Sequence, residues 1–336
     1  MRRSLLPFLF LLTACTCMPF SIDWGSGPPA AGSTPVDIYA LDVASLDEVG
    51  QLARQHLEAL TAIGPRLAGS QEESRAAEYI AYVLSSAGYS PEVQWFTALD
   101  YYEEEMVDSA NVVAVRDGES TQEIIVGAHY DSSDEGLGTD DNASGVAVLL
   151  EVAEQVAQAN LPYTVRFIAF GAEEAGFLGS AVYVEQMDES ERAHTLVMIN
   201  LDSLVAGDIP YVYSDEGEDA AARDWMLAWA EDNGLGLQTI RNVDLADEDG
   251  YGTSDYDSFR SVGIPWAYLE STNWNLGDQD GYTQVDPRYG DEGAIIHTQY
   301  DTLAYIDSTF PARADERLNL FVTVLNEFLT QYSVTP

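Results

Sequence analysis

The chain has 336 residues, of which 46% are hydrophobic, so it is long and apolar enough to bury a core. Its 14 basic and 57 acidic residues give a formal net charge of −43. Such a charge argues against nucleic acid or an anionic membrane surface as a partner. We interpret most of it as a solvated acidic surface, which leaves cations and basic peptides as compatible partners.

The beginning of the chain has the pattern of an export signal. Two arginines precede a short apolar run, residues 5–12, which is typical of a secretory signal and too short for a permanent membrane span. The letters LTAC at residues 12–15 resemble a lipobox, which implies cleavage before Cys15 and lipid attachment to it. Residues 1–14 are therefore predicted to be a lipoprotein signal peptide, with ordinary signal cleavage as the alternative. The mature protein is expected outside the cytoplasm, lipid-anchored to a bacterial membrane.

Composition also predicts the domain boundaries. Residues 15–40 are rich in Pro, Gly and Ser without an apolar period, which indicates a flexible tether. The rest, residues 41–336, is predicted to form a single domain. Both cysteines, Cys15 and Cys17, lie before that domain, so we expect no disulfide within it.

Apolar periodicity and turn signals predict an alternation of helices and strands along the domain. His56, on the first helix, is interpreted as a helix-face residue. A capping box at Ser45 and another at Ser70 open the first two helices. The predicted elements are helices near 45–62 and 70–88, strands 92–97, 110–115 and 124–128, helix 145–157, strand 165–170, a short helix after 176–180, strand 196–201, helix 215–231, strand 264–269 and helix 313–332. The alternation predicts one doubly wound α/β domain, with a mixed, mostly parallel central sheet flanked by helices and an antiparallel edge.

Each of the three apolar central strands is followed at once by imidazole or carboxylate side chains. The polar residues are His129, Asp131, Asp140, Asp141 and Asn142 after the first strand, Glu173 and Glu174 after the second, and Asp202 after the third. Because the carboxyl ends of parallel strands meet at one edge of a sheet, these side chains are candidates for one site. Such ligands suit zinc. His297, in a later polar stretch, is a second candidate imidazole.

Taken singly, these residues have ordinary explanations. A lone histidine at a strand end is more often structural, paired glutamates more often begin a solvated helix, and Asp202 could cap a turn. Burying Glu173 and Glu174 together without cations would be very costly, however. Asp131 could orient the ring of His129 as a metal ligand's partner, and a carboxylate on the 140–142 loop could bridge two metals. The combination favours a metal site over coincidence.

The motifs HYDS, GTDDNASG, FGAEEAGFLGS, NLDS and HTQYDTL together resemble the di-zinc aminopeptidases of metallopeptidase family twenty-eight. The upstream stretches GPRLAGS and SANVVAVRDG also match, so the resemblance covers about residues 45–334. It implies two zinc ions, one held by His129, Asp141 and Asp202 and the other by Asp141, Glu174 and His297. By the same resemblance Glu173 is the general base and Asp131 orients His129. The implied activity is removal of N-terminal residues from peptides or proteins by a water shared between the two ions.

Two stretches depart from the family pattern. Tyr251 matches the position whose hydroxyl helps to hold the substrate carbonyl, but Asp249 and Thr253 stand where secreted members often have a disulfide. An ordinary turn tyrosine is nearly as good an interpretation. The long insert at 270–284 resembles the alkaline phosphatase isozyme conversion aminopeptidases of the family, and its acids and aromatics favour basic N-terminal residues as substrates.

Three other functions are compatible with parts of the pattern. A glutaminyl cyclase, an acyltransferase on a similar fold with one zinc, shares the histidine and paired-glutamate motifs but fits the 140–145 stretch less well. A non-catalytic, cation-binding lipoprotein would require a missing ligand, whereas every expected ligand is present. A carboxypeptidase would need a basic pocket for the substrate carboxylate, and this chain is poor in Arg and Lys. Zinc content per chain separates the first of these from the peptidase.

Overall fold

The chain is described from a computed structural model that covers residues 49–240, 254–274 and 295–333. These residues all belong to one compact unit, Ile38–Pro336. Cys15, Tyr251 and residues 275–284 of the insert lie outside the described residues, so the predictions made for them stay predictions. In the described part of the chain, no helix has the length and apolarity needed to cross a bilayer.

The core of the domain is one sheet with strand order β1-β2-β4-β3-β5-β7-β6. The strands are β1 (Glu92–Leu99), β2 (Met106–Arg116), β3 (Ser120–His129), β4 (Tyr163–Phe170), β5 (Thr195–Leu201), β6 (Ile209–Tyr213) and β7 (Trp266–Thr272). The four central strands, β4, β3, β5 and β7, pair in parallel, while β1, β2 and β6 form antiparallel edges. The predicted mixed, mostly parallel sheet is confirmed.

Helices cover both faces of this sheet. They are α1 (Gln51–Ile63), α2 (Gln71–Ser86), α3 (Gly145–Val156), α4 (Leu178–Gln186), α5 (Glu189–His194), α6 (Ala221–Asp232), α7 (Tyr256–Arg260), α8 (Leu303–Thr309) and α9 (Arg313–Gln331). Val126 of β3 packs in the cluster formed by α1, α2, α3 and α9, whereas its neighbour Ile125 packs with α4 and α7. A strand buried on both faces explains why β3 is apolar without alternation.

The first helix begins later than its predicted capping box. It begins at Gln51, and residues 45–48 lie outside the described residues. The carboxylate of Glu151, on α3, accepts hydrogen bonds from the backbone N–H groups of Gly50 and Ala53, at 2.9 and 2.6 Å. A distant carboxylate therefore caps α1. At α2 the prediction is confirmed, since the Ser70 hydroxyl accepts from the N–H of Glu73 at 3.0 Å.

His56 lies on the buried face of α1, as the apolar stripe predicts, and it also has polar partners. Its ring is fully buried, with Nδ1 2.7 Å from the Tyr79 hydroxyl and Nε2 2.9 Å from the Glu154 carboxylate. The three side chains come from α1, α2 and α3. His56 thus links three helices through hydrogen bonds. The sequence gives no signal of these partners, because it shows only one histidine within an apolar stripe.

The central strands approach each other closely just before they end. A Cβ at Gly127 of β3 would lie 2.5 Å from the ring of Phe170 and 2.8 Å from the Met198 side chain. Only glycine leaves room for these two side chains of the neighbouring strands. Two residues later, His129 lies directly beside Phe170, the last residue of β4. The polar residues that follow β3, β4 and β5 consequently share one edge of the sheet.

Candidate metal centre

Asp141 lies between two imidazole rings. Its Oδ1 is 3.1 Å from Nε2 of His129, and its Oδ2 is 3.0 Å from Nε2 of His297. It comes from the irregular turn Thr139–Ser144, which joins β3 to α3. One carboxylate therefore faces two separate nitrogen ligands with its two different oxygens, which is the arrangement that a bridging ligand requires.

Donor atoms around Asp141 form two groups, each with ligand atoms within 4.8 Å of one another. The groups are His129, Glu173 and Asp202, and Asp141, Glu174 and His297. In the first, His129 Nε2 lies 3.6 Å from Asp202 and 3.9 Å from Glu173. In the second, His297 Nε2 lies 3.1 Å from Glu174. All six side chains that the sequence marked as ligands or base thus converge on one pocket.

The first group differs in one member from the set that the family resemblance implies. Geometry puts Glu173, the expected base, beside His129 and Asp202, while Asp141 belongs to the second group. Asp141 nevertheless contacts His129 more closely than either of the other carboxylates does. The arrangement thus agrees with Asp141 as a ligand to both positions and with Glu173 close to the first.

The two histidines differ in accessibility. His129, at the end of β3, is 1% exposed, whereas the side chain of His297 is 50% exposed. His297 has a left-handed backbone conformation with φ of 57°, which a non-glycine residue adopts only when its surroundings favour it. The pocket is therefore closed by protein on the His129 side and open to solvent on the His297 side.

Asp131 ties the pocket together without being one of the ligands. Its two oxygens accept the backbone N–H groups of Glu173 and Glu174, each at 3.0 Å. Its Oδ1 also lies 3.4 Å from Nδ1 of His129, on the side of the ring away from Asp141. One buried carboxylate therefore fixes the backbone of both glutamates and lies beside the imidazole, and its predicted orientation of the ring stays a prediction.

The charges of the pocket depend strongly on one another. Burial opposes the charged form of His129, but the carboxylates of Glu173 and Asp202 outweigh it and raise the pKa of the imidazole well above its usual value. Burial likewise raises the pKa of Glu173. For Asp141 burial acts in the same direction, yet hydrogen bonds from His129 and His297 hold its pKa well below the usual range. Positive charge on the two imidazoles therefore keeps Asp141 ionised, whereas burial shifts Glu173 toward its neutral form.

The donor set fits zinc. Imidazole nitrogens and carboxylate oxygens are ligands that zinc takes in proteins, and catalytic sites use about three of them per ion. Among the described residues, Oε1 of Glu174 is buried without a hydrogen-bond partner. An unsatisfied buried carboxylate oxygen is costly, and coordination of a cation would satisfy it.

A short chain of side chains supports Asp202. The Ser254 hydroxyl donates to Oδ2 of Asp202 at 2.7 Å and accepts from the Asn200 side-chain amide at 2.8 Å. All three residues are buried. The sequence interpretation missed Ser254, because it lies 52 residues away from Asp202. Its only sequence signal was its place in a loop that the family resemblance already marked.

A second support holds the turn that carries Asp141. The Asp301 carboxylate accepts the backbone N–H groups of Asp140 and Asp141, at 2.7 and 3.2 Å. Asp140 in turn accepts the N–H groups of Val205 and Ala206, at 2.7 and 3.0 Å, in the loop after β5. Asp140 therefore joins two loops of the pocket. The HTQYDTL motif contains Asp301, but nothing local to that motif indicates its partners.

The third support is a fully buried arginine. Arg66 donates to the carbonyl oxygens of Tyr130, Leu137 and Gly138, at 2.7, 2.9 and 2.8 Å, and to that of Gly64 at 3.3 Å. It thereby fixes the chain between His129 and the Asp141 turn. Burial lowers the pKa of its guanidinium to about 10, so it stays charged at neutral pH. Within the GPRLAGS motif, this residue had no assigned role.

Comparison with known proteins identifies the family. The model of peptidase family M28 matches residues 111–322, a range that holds every proposed ligand. The chain belongs to peptidase family M28. The alkaline phosphatase isozyme conversion protein of Escherichia coli strain K12 is 30% identical over 303 residues, which cover 82% of this chain and 88% of that protein. The predicted enzyme class, a metal-dependent hydrolase of peptide bonds, is confirmed.

Other relatives are longer than this chain. The probable lipoprotein aminopeptidase LpqL of Mycobacterium tuberculosis is 32% identical over 217 residues, 59% of this chain and 42% of that protein. The chain spans half or less of the length of several such relatives.

Solved structures share the fold. A zinc aminopeptidase from Bacillus subtilis has a TM-score of 0.68 at 19% identity, covering 87% of this chain and 98% of that one. A glutaminyl cyclase from Porphyromonas gingivalis has a TM-score of 0.64 at 20% identity, covering 84% and 99%. The fold is therefore common to peptidases and cyclases and does not separate them.

Proposed function

We propose that the protein is an aminopeptidase that uses two zinc ions to remove N-terminal residues from peptides or proteins. The main support is Asp141, whose two oxygens face the imidazoles of His129 and His297 at 3.1 and 3.0 Å. Glu174 and Asp202 complete the two groups of ligands. Names of relatives add support, since several are called aminopeptidases.

Zinc at these positions would polarise the peptide carbonyl and make a nearby water molecule more acidic. Glu173 takes the proton of that water and passes it to the leaving amine, as a general base and then acid. Its burial beside His129 suits this role, because a raised pKa brings a carboxyl group closer to neutral pH. Asp131 holds the backbone of Glu173 and so fixes where the proton is received.

Carboxylates dominate the pocket, and this favours substrates with a free amino end. Glu173, Glu174 and Asp202 lie within a few ångströms of the two imidazoles. A free α-amino group, charged or hydrogen-bonding, is attracted to such surroundings, whereas an N-acetylated end offers neither charge nor coordination. We therefore expect exopeptidase rather than endopeptidase activity.

The side chain of the first substrate residue is proposed to be basic, because Glu270 lies beside the pocket. Burial and then the nearby Asp202 raise the pKa of Glu270 to about 8. Tyr211 stands directly opposite it on β6, and Tyr213, two residues further, accepts a hydrogen bond from the Trp274 indole at 2.8 Å. A carboxyl group among aromatic faces suits an arginyl or lysyl side chain, which would also keep Glu270 ionised.

Amino-acid amides and their N-acetylated counterparts, given to the zinc-loaded protein, test this function. We expect hydrolysis of the free amides only, with arginyl and lysyl amides ahead of leucyl amide. Equal hydrolysis of the acetylated compounds would refute the aminopeptidase. A tenfold preference for leucyl over arginyl amide would refute the basic preference and leave the aminopeptidase intact.

Glutaminyl cyclase activity is the second candidate, favoured by the structural likeness to a cyclase. Such an enzyme would use one zinc and convert an N-terminal glutamine to pyroglutamate without cutting a peptide bond. The presence of two donor groups favours the peptidase. Zinc content per chain and mass spectrometry of a glutaminyl peptide distinguish the two: one zinc and loss of ammonia would establish the cyclase.

We further propose that the protein is exported and held at a membrane by lipid on Cys15. The LTAC sequence supports this, and one relative is named a probable lipoprotein. Mass spectrometry of the N-terminal peptide from bacterial membranes tests it, with Cys15→Ser as the control. An unmodified Cys15 in the membrane-extracted protein would refute lipid attachment.

A further inference from the structure

Large apolar side chains are exposed at the end of the β1–β2 hairpin. We call Leu99, residues 100–105 and Met106 the hairpin tip. Tyr101 and Tyr102 are 68% and 67% exposed, Met106 is 61% and Leu99 is 45%. Leu99 and Met106 pair across the two strands, so these two side chains share one face. Contiguous exposed apolar side chains are a feature of interaction sites.

This tip is an ordered turn. The Asp100 carboxylate accepts the N–H groups of Tyr102 and Glu103, at 2.8 and 2.9 Å. The backbone N–H of Asp100 donates to the carbonyl of Glu105 at 2.8 Å, which closes the turn. The rings of Tyr101 and Tyr102 meet edge to face, 5.3 Å apart. The hydrogen-bonded turn thus holds both tyrosines at the surface. Binding a partner there would cost the turn little conformational entropy.

The hairpin tip is attached to the loop that carries Glu173. The backbone N–H of Tyr101 donates to the carbonyl of Ala175 at 3.0 Å. A Cβ at Gly176 would lie 3.0 Å from Cβ of Tyr101, so the two segments are in contact. Phe96 of the same hairpin belongs to the buried cluster that contains Ala175. The tip therefore contacts the chain two residues after Glu173, the proposed general base.

This position suits the part of the substrate on the leaving-group side of the scissile bond. If Glu173 gives its proton to the leaving amine, the peptide continues from that nitrogen past the loop of Glu173. The hairpin tip contacts that loop at Ala175 and Gly176. It carries Asp100 and three consecutive glutamates, residues 103–105, together with its apolar side chains.

We propose that the hairpin tip binds the substrate chain beyond the scissile bond and prefers apolar and basic side chains there. This inference rests on the proposed aminopeptidase function. The acidic residues of the hairpin tip make an anionic membrane a poor partner for this surface, despite its exposed aromatic side chains. Continuity with the catalytic loop favours a substrate over a second copy of the chain.

The experiment compares substrates that differ only beyond the scissile bond. An amino-acid amide has no chain there, whereas a pentapeptide with the same first residue, followed by leucine and lysine, has one. In Tyr101→Ala/Tyr102→Ala the Cβ against Gly176 and the N–H to Ala175 are kept. We expect kcat/KM for the pentapeptide to fall about tenfold, or roughly 1.4 kcal/mol, with the amide unchanged within about twofold.

A second variant tests the charge preference. In Glu103→Gln/Glu104→Gln/Glu105→Gln, the advantage of a lysine-containing pentapeptide over an aspartate-containing one should disappear. Tyr82→Ala, at an exposed tyrosine on α2, is the matched control and should leave every rate unchanged.

Several results would overturn the proposal. Equal losses on amide and pentapeptide would mean that the tyrosines only support the Glu173 loop, and no loss on either would mean that the tip binds nothing. Loss of dimerisation in sedimentation velocity, or of binding to phosphatidylglycerol vesicles, without any effect of substrate length would assign the surface to another partner. A wild type that hydrolyses neither substrate would instead refute the proposed function itself.

Discussion

Replacing Arg66 by methionine should destabilise the segments that support the candidate metal centre. The guanidinium donates three short hydrogen bonds, to the carbonyls of Tyr130, Leu137 and Gly138, and a longer one to Gly64. Methionine fills much of the volume but donates nothing. The carbonyl groups would then be buried without their charged donor, in a place that water reaches poorly.

The size of the effect follows from these bonds. A buried hydrogen bond from a charged group contributes about 1.5 kcal/mol or more, and loss of one partner leaves the other unsatisfied, so three short bonds amount to about 4.5 kcal/mol or more. Arg66 also lies near Asp131, Asp141 and Asp301, whose negative charges would lose a nearby positive charge. Zinc affinity should therefore fall as well, by about ten- to a hundredfold as is usual for groups that support ligands.

Urea unfolding, followed by tryptophan fluorescence with and without zinc, measures the loss in the free energy of unfolding. Arg66→Lys keeps the charge but cannot reach three carbonyls at once, so we expect an intermediate loss. Arg116→Met is the matched control, because Arg116 donates to the carbonyl of Ala159 far from the pocket and should cost at most about 1 kcal/mol. A loss in Arg66→Met no larger than in this control would show that the carbonyl bonds of Arg66 do not hold the site.

Other predictions concern the pocket and its surroundings. Glu173→Ala should keep both metals by elemental analysis and lose at least about a hundredfold in kcat, whereas near-normal turnover would remove Glu173 from the mechanism. Asp141→Ala should lose zinc in equilibrium dialysis, and two tightly held ions would contradict its bridging role. Ser254→Ala removes a donor to Asp202 and should weaken zinc binding about tenfold; unchanged affinity would make that bond incidental. Burial raises the pKa of Glu73 from 4.5 to about 8, so the folded state holds this proton more tightly than the unfolded state does. Stability should therefore fall between pH 4.5 and 8, and Glu73→Gln should flatten that slope in urea titrations; an unchanged slope would assign it to other groups.

The edge of the sheet that carries the candidate site was predictable because its signals are local. His129, Glu173 and Asp202 each follow a run of apolar residues, and a run buried on both faces indicates a central parallel strand. Parallel pairing then brings the ends of those strands together without further information. Register between β3 and β4 confirms this, since His129 pairs with Phe170, three residues before Glu173.

The supporting groups were not predictable, because their partners are distant in sequence. Glu151 caps a helix that begins 100 residues earlier, and Asp301 accepts hydrogen bonds from a turn 160 residues away. In the sequence, neither Glu151 nor Asp301 can be distinguished from an acidic residue that is exposed to solvent. The partners of His56, Tyr79 and Glu154, were not predictable for the same reason, since they come from two other helices. Periodicity identifies which face of an element is buried, but not which polar group another element brings to it.

Charge explains why the ligands and their supports belong together. Five carboxylates, those of Asp131, Asp141, Glu173, Glu174 and Asp202, share one pocket with two imidazoles. Removing such a group of like charges from water is unfavourable unless cations accompany them. The guanidinium of Arg66 and the backbone N–H groups that donate to Asp131 offset part of this cost, and bound zinc would offset the rest. Folding and metal binding are therefore expected to be coupled, since the protein gains from the ions the free energy that its crowded carboxylates cost.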